Sequence, residues 1–141
     1  MKIYIGNDHT GVEIKNYLVS WLKQNNYEVI DLGVNLTKSS NYALIGKTVA
    51  ENVVKDNGLG IVICGTGVGI SIAANKVKGA IAGLVYETQI AQLIRQHNNA
   101  NILAMGARII AKEKALEILK VFLSTDFEGG RHIERVELLK Q

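Results

Sequence analysis

The chain has 141 residues, 16 Lys+Arg against 13 Asp+Glu for a formal net charge of +3, 48% apolar residues and one cysteine. That describes a single domain, 1–141, large enough to bury a core without disulfides, and excludes a disordered, collagen-like or coiled-coil chain. No apolar stretch approaches the ~18 residues of a membrane span, and Met1–Ile5 runs straight into Asn7-Asp8-His9 without room for a signal peptide, so a cytoplasmic protein with no membrane partner is expected.

In chain order, five short apolar or β-branched runs predict strands at Lys2–Gly6, Glu28–Leu32, Leu59–Ile63, Ala80–Val85 and Asn101–Ala104. Between and after them, Val12–Asn25, Tyr42–Asp56, Val68–Lys76, Thr88–His97, Lys112–Ser124 and, past Gly129-Gly130, His132–Leu139 carry the helical period. Ile14, Tyr17, Leu18 and Trp21 recur at spacings of three and four, which makes one apolar helix face. Regular alternation of strand and helix predicts an α/β fold: a five-stranded parallel sheet between two helical layers, α/β/α and Rossmann-like. The chain has no proline, so its loops turn on Gly and Asn. The longest loop, residues 33–41, is polar and reads equally as a mobile surface loop or as an active-site cover.

Residues 71–141 carry the whole charge excess, ten bases to seven acids, and all four arginines, Arg95, Arg108, Arg131 and Arg135. Arginine's planar fork suits phosphate or carboxylate, so a small anionic ligand is expected. Nucleic acid is not, because there is no dense basic run and no basic stripe interleaved with aromatics.

In open parallel sheets ligands bind where strands exit. The first exit is Asn7-Asp8-His9-Thr10-Gly11; Asp8 is either a helix N-cap beside a bystander imidazole or, with His9, part of a site. The third is Cys64-Gly65-Thr66-Gly67-Val68-Gly69-Ile70-Ser71. Alternate glycines let backbone N–H groups approach an anion at a helix N-terminus. Cys64 is there either a small buried hydrophobe or a base or nucleophile. A dinucleotide site is weak, since Ile70 stands where Gly-x-Gly-x-x-Gly needs its last glycine.

His97, in Arg95-Gln96-His97-Asn98, is a helix C-cap or a functional base. It lies at a strand entrance whereas Cys64 lies at a strand exit, so joint action on one ligand needs a second chain. Arg131 and Arg135, four apart, share a face near a helix N-terminus; they suit a phosphate, or pair with Glu128 and Glu134. His9, His97 and His132 are widely spaced and no Cys pair exists, so no metal site is expected.

Together, Asn7-Asp8-His9, the Cys64–Ser71 loop, Arg95-Gln96-His97-Asn98, Gly106-Ala107-Arg108 and Glu128-Gly129-Gly130-Arg131-His132 resemble the type B ribose 5-phosphate isomerases, over essentially the whole chain. The wider family includes allose 6-phosphate and galactose 6-phosphate isomerases. The resemblance implies a homodimer, or a tetramer of paired dimers, with active sites shared across the interface. It implies an aldose–ketose isomerase of the pentose phosphate pathway, working through an enediolate without metal or cofactor. Cys64 would move the proton between C2 and C1, while Thr66 and the N–H groups of Gly65, Gly67 and Gly69 hold the oxyanion. Asp8 and His97 would open the furanose ring, Asn98 of the second chain would orient the sugar, and His9, Arg108, Arg131 and Arg135 would hold the phosphate. One departure stands out: the family's Asp-Tyr-Pro is here Asn41-Tyr42-Ala43. A hexose 6-phosphate isomerase and a non-catalytic phosphate- or nucleotide-binding module are the alternatives.

Overall fold

The computed structural model describes the whole chain, Met1–Gln141. Five strands, β1 (Lys2–Asn7), β2 (Glu28–Asp31), β3 (Leu59–Cys64), β4 (Ala82–Leu84) and β5 (Ile102–Gly106), form one all-parallel sheet in the order β2-β1-β3-β5-β4. The helices are α1 (Val12–Gln24), entered through a 3-10 turn at His9–Gly11, α2 (Tyr42–Asp56), α3 (Val68–Asn75), α4 (Thr88–Gln96), α5 (Lys112–Ser124) and α6 (His132–Leu139). The expected α/β architecture is present, and no helix is long and apolar enough to cross a membrane.

Strand side chains alternate between two cores, which is why the strands read as unbroken apolar runs. Ile3, Ile5, Ile61, Ile63, Leu103 and Met105 pack with Leu18 and Leu22 of α1, Ile94 of α4 and Ile118 and Phe122 of α5. Tyr4, Val62, Cys64, Ile102 and Ala104 face the other way, against Val49 and Val53 of α2 and Ile70 and Ala74 of α3. Each fully buried Ile or Leu stabilises this sandwich by roughly 1.5–3 kcal/mol. Cys64 therefore leaves the sheet on the α2–α3 side.

β1, β2 and β3 end within one residue of expectation, and the other two strands differ more. β4 is shorter than Ala80–Val85 because the Asn101 side chain replaces its first ladder bonds: Oδ1 accepts from Ile81 N–H at 2.8 Å and Nδ2 donates to the Gly79 carbonyl at 3.0 Å. β5 extends to Gly106, since Met105 and Gly106 still pair with Ile63 and Cys64. That extension brings Gly106 alongside the glycine loop.

The sheet order creates the site. From β1 the chain crosses through α1 to β2 on one side; from β3 it crosses through α3 to the β4–β5 side. The two connections diverge and leave a crevice between the carboxyl ends of β1 and β3, the switch point where ligands bind in open sheets. Asp8 N–H donates to the Ile63 carbonyl at 3.0 Å, clamping the two exits together.

The loop 33–41 borders this crevice and is anchored to it. The Val34 carbonyl accepts from Asn7 Nδ2 at 2.9 Å and from the fully buried Lys15 Nζ at 3.2 Å, and Lys15 also pairs with Asp31 at 2.9 Å. These anchors favour the cover reading over a free surface loop.

Candidate active site

At the first exit Asp8 is buried, and its Oδ1 accepts Thr10 N–H at 2.9 Å and the Thr10 hydroxyl at 2.5 Å. That is N-cap work for the 3-10 turn. Its second oxygen, Oδ2, lies 4.0 Å from His9 Nδ1, so the same carboxylate also faces the imidazole. His9 and the cover loop are joined twice: His9 N–H donates to Ser40 Oγ at 3.0 Å, and Ser40 N–H donates to His9 Nδ1 at 3.3 Å. A neutral imidazole that accepts at Nδ1 carries its hydrogen on Nε2, which leaves a donor for a ligand oxygen.

At the third exit, Cys64 ends β3 nearly buried at 5% exposure, and Gly67 takes the left-handed conformation with φ 84°. The resulting turn aims Gly67 N–H at Cys64 Sγ, 3.2 Å away. A donor there stabilises negative charge formed when the thiol loses its proton. Gly67 was expected among the oxyanion donors; here its N–H faces the sulfur. Gly69, in the first turn of α3, has no intrahelical acceptor for its N–H, as helix geometry dictates. Thr66 Oγ1 accepts Val68 N–H at 3.1 Å, leaving the hydroxyl hydrogen free to donate.

Arg108 follows β5 and folds back over this loop. Its N–H donates to the Gly65 carbonyl at 2.9 Å, and its Cδ and Nη1 lie 3.5 Å from the point a Cβ on Gly65 would occupy. The pieces enclose a cavity of about 260 Å³ lined by Asp8, His9, Thr10, Tyr42, Cys64, Gly65, Thr66, Gly69 and Arg108. The structure thus gathers Asp8, His9, Cys64, the glycine loop and Arg108 into one small polar pocket.

His97, Asn98, Arg131 and Arg135 lie elsewhere. His97 caps the end of α4 and precedes β5, whose five residues span about 13 Å at ~3.3 Å per residue before reaching the level of Cys64. Asn98 is exposed beside a separate hollow of about 370 Å³ near β4, which Asn75 and Leu139 also line. The phosphate set expected from the resemblance is therefore divided within one chain: His9 and Arg108 by Cys64, Arg131 and Arg135 by His97.

Two left-handed glycines, Gly129 (φ 72°) and Gly130 (φ 58°), turn the chain after α5, while Glu128 N–H donates to the Gln96 carbonyl at 3.1 Å. This delivers His132 onto His97, with ring centroids 4.4 Å apart and planes 12° from parallel. The expectation of widely spaced histidines holds for sequence position and fails in space. Ligand atoms of His97, Glu128 and His132 all lie within 4.8 Å of one another, the distance range of a metal trio. The near-parallel rings point their in-plane lone pairs side by side rather than at one centre, so the trio is poorly arranged for chelation.

His132 is held below the usual histidine range, first by burial and then by Arg131, His97 and Arg135, with Glu128 opposing. Its Nε2 is buried without a hydrogen-bond partner. Arg131 and Arg135 are exposed, and neither pairs with a carboxylate; the only bond joining them runs from Arg135 Nη1 to the Arg131 carbonyl at 3.3 Å. The ion-pair alternative with Glu128 and Glu134 is absent. Arg95, by contrast, is structural: its guanidinium donates to the Thr125 and Ala100 carbonyls and lies 5.4 Å from the Phe122 ring centre.

Three neighbours of the pocket were not among the expected site residues: Thr10, Ser40 and Tyr42. Tyr42 packs against Gly69, where any Cβ would collide with its ring. Its signal was Asn41, which caps α2 by accepting Ala43 N–H at 3.0 Å and Leu44 N–H at 3.2 Å and so fixes the start of the helix that carries Tyr42. A proline at 43 has no N–H, so Ala43 adds one donor to this cap.

Residues 3–139 match the family model described as Ribose/Galactose Isomerase. A probable ribose-5-phosphate isomerase B of Mycoplasma pneumoniae is 45% identical, with 95% of this chain and 90% of the relative covered. Ribose-5-phosphate isomerase B of Clostridium thermocellum superposes with TM-score 0.96 at 46% identity, covering 99% of this chain and 95% of the other. The Mycoplasma genitalium ribose-5-phosphate isomerase B, solved with bound ribulose-5-phosphate, gives TM-score 0.95 at 42% identity, covering 99% and 93%. With its five motifs in order, its switch-point pocket and these matches along nearly its whole length, the chain belongs to the ribose/galactose isomerase family.

Proposed function

We propose that this protein interconverts D-ribose 5-phosphate and D-ribulose 5-phosphate in the cytoplasm, as a step of pentose phosphate metabolism. The observation that carries this reading is the Cys64 sulfur, held by Gly67 N–H in a polar cavity between Asp8–His9 and Arg108. A relative at 42% identity binds ribulose-5-phosphate. A binding module needs the glycine loop and the arginines; it does not need a thiol held by a backbone donor.

In the reaction Cys64 removes the C2 proton of the open-chain aldose. The C–H electron pair forms the C1–C2 double bond, and negative charge collects on O1. The Thr66 hydroxyl with Gly65 and Gly69 N–H groups holds that charge. Cys64 returns its proton to C1, while the O2 hydrogen passes to O1 as the ketone forms. C1 is reduced and C2 oxidised within the same sugar, so no outside oxidant or reductant is needed. His9 and Arg108 face the phosphate, whose remote binding energy positions C2 near the sulfur.

His97 and Asn98, with Arg131 and Arg135, complete the site from a second copy of the chain. Asp8 and His97 then open the ring, and the two unpaired arginines reach the phosphate. Val68 and Ile72, 44% and 53% exposed and one turn apart on α3 beside the pocket, supply an apolar face for such a homodimer. The test is conversion of ribose 5-phosphate by purified protein with chelator present, compared with allose 6-phosphate and galactose 6-phosphate. Turnover greatest on the pentose supports the reading. Turnover greatest on a hexose 6-phosphate reassigns the substrate, and none on any sugar by folded protein leaves the binding module.

A further inference from the structure

The Gly67 N–H that meets Cys64 belongs to the Thr66–Gly67 peptide unit, and the other end of that unit is the Thr66 carbonyl. Thr66 O accepts a hydrogen bond from Tyr86 Oη at 2.7 Å, while Gly67 N–H donates to Cys64 Sγ at 3.2 Å. Tyr86, just beyond β4, and Cys64, at the end of β3, therefore grip opposite ends of one rigid plane.

Something must hold that plane, because glycine does not. Gly67 tolerates conformations on both sides of φ = 0, so rotation of the peptide ahead of it meets little backbone resistance. Rotation would turn the carbonyl oxygen toward the sulfur and the N–H away, replacing attraction by repulsion just when negative charge forms. Packing restrains part of this motion: a Cβ on Gly106 would run into Thr66 O, and a Cβ on Gly67 would lie 2.7 Å from the Met105 carbonyl carbon. Close packing limits displacement of the loop, whereas the directional restraint on the carbonyl is the phenol. A donor on the carbonyl also polarises the peptide and strengthens the N–H at its far end.

We propose that Tyr86 is a positioning residue for Cys64, acting through the Thr66–Gly67 peptide. Its ring is half-buried and its hydroxyl makes this one hydrogen bond. The inference rests on the isomerase reading for its effect on turnover, but the link between phenol and sulfur does not.

The experiment is Tyr86→Phe, which removes the hydroxyl and keeps the ring. Alkylation of Cys64, the sole cysteine, by iodoacetamide is followed from neutral to alkaline pH in both proteins. The reagent reacts with thiolate, so the variant should react about five- to tenfold more slowly near neutrality, the worth of one hydrogen bond, and the curves should meet at alkaline pH. The kcat for ribose 5-phosphate should fall by a similar factor with KM within about twofold, since the phosphate contacts are untouched. Coincident alkylation curves overturn the proposal whatever happens to turnover, and so does slower alkylation at every pH, which reports altered access instead. Cys64→Ser separates the two claims. If it turns over sugar like wild type while Tyr86→Phe still shifts alkylation, the base assignment fails and the link stands.

Discussion

The carboxyl-end pocket and the amino-end cluster differ in how many of their groups are tied to one another. Around Cys64 the framework is bonded inside the chain: Asp8 caps a turn, His9 and Ser40 bond reciprocally, Gly67 N–H meets the sulfur and Tyr86 holds the loop, while the exposed Arg108 guanidinium and the buried Asn7 Oδ1 stay unpaired. Around His97 the groups are unmatched: two exposed arginines lack a carboxylate, and the buried His132 Nε2 lacks a partner. Internal satisfaction preorganises groups that face developing charge. On the proposed reading, the exposed Arg131 and Arg135 beside the stacked imidazole pair are the half of a site that a second copy of the chain receives. On that reading the first region contains what must be rigid for proton transfer, and the second contains what meets the substrate from outside.

The strongest test of that division is complementation. Cys64→Ala and His97→Ala should each lose about 10²–10⁴-fold in kcat, the usual contribution of a positioned proton-transfer group. Mixed after subunit exchange, they should recover about a quarter of wild-type activity, because half of random dimers are hybrids with one intact site. No recovery despite demonstrated exchange would put both residues in the same subunit's site and remove the division.

A smaller effect sharpens the amino-end half. Arg135→Ala should raise KM for the phosphorylated sugar about ten- to a hundredfold, the value of a charge-assisted bond, with kcat changed much less. Steady-state kinetics on ribose 5-phosphate checks this; an unchanged KM would return Arg135 to the role of a surface charge.

The smallest expected effect is on stability. His132 titrates below its ordinary value of 6.5, so above that pH both folded and unfolded forms are neutral there. As pH falls through about 6.5, the unfolded chain takes up a proton that the folded site refuses, and stability declines until the folded pKa is reached. Thermal unfolding compared at pH 7 and pH 5 should therefore show a smaller acid loss in His132→Asn than in wild type. Equal losses would show that burial and the facing Arg131, His97 and Arg135 do not control this histidine's charge.

Helix boundaries show how far local pattern reaches. α2, α5 and α6 begin and end where the period and the flanking residues predict, because Asn41 caps one start and Gly129-Gly130 breaks the chain before the last. β4 and β5 were misjudged by up to two residues because the Asn101 side chain and the pairing of Met105 and Gly106 are tertiary choices. In the pocket, the glycine loop and Asp8-His9 were legible as strand exits. Tyr42 on Gly69 and Tyr86 on Thr66 were not, since nothing local marks which aromatic will cross to another loop.

By itself the sequence determined the layered parallel sheet, the two exits that meet at its switch point and the chemical inventory there, since periodicity and glycine spacing are local properties. Tertiary structure alone decided three matters: Gly67 N–H is aimed at the Cys64 sulfur, His132 stacks on a histidine 35 positions away, and the expected phosphate ligands are divided between the two ends of the sheet. Those outcomes depend on how separate segments are turned in space, and residue order does not encode that orientation one position at a time.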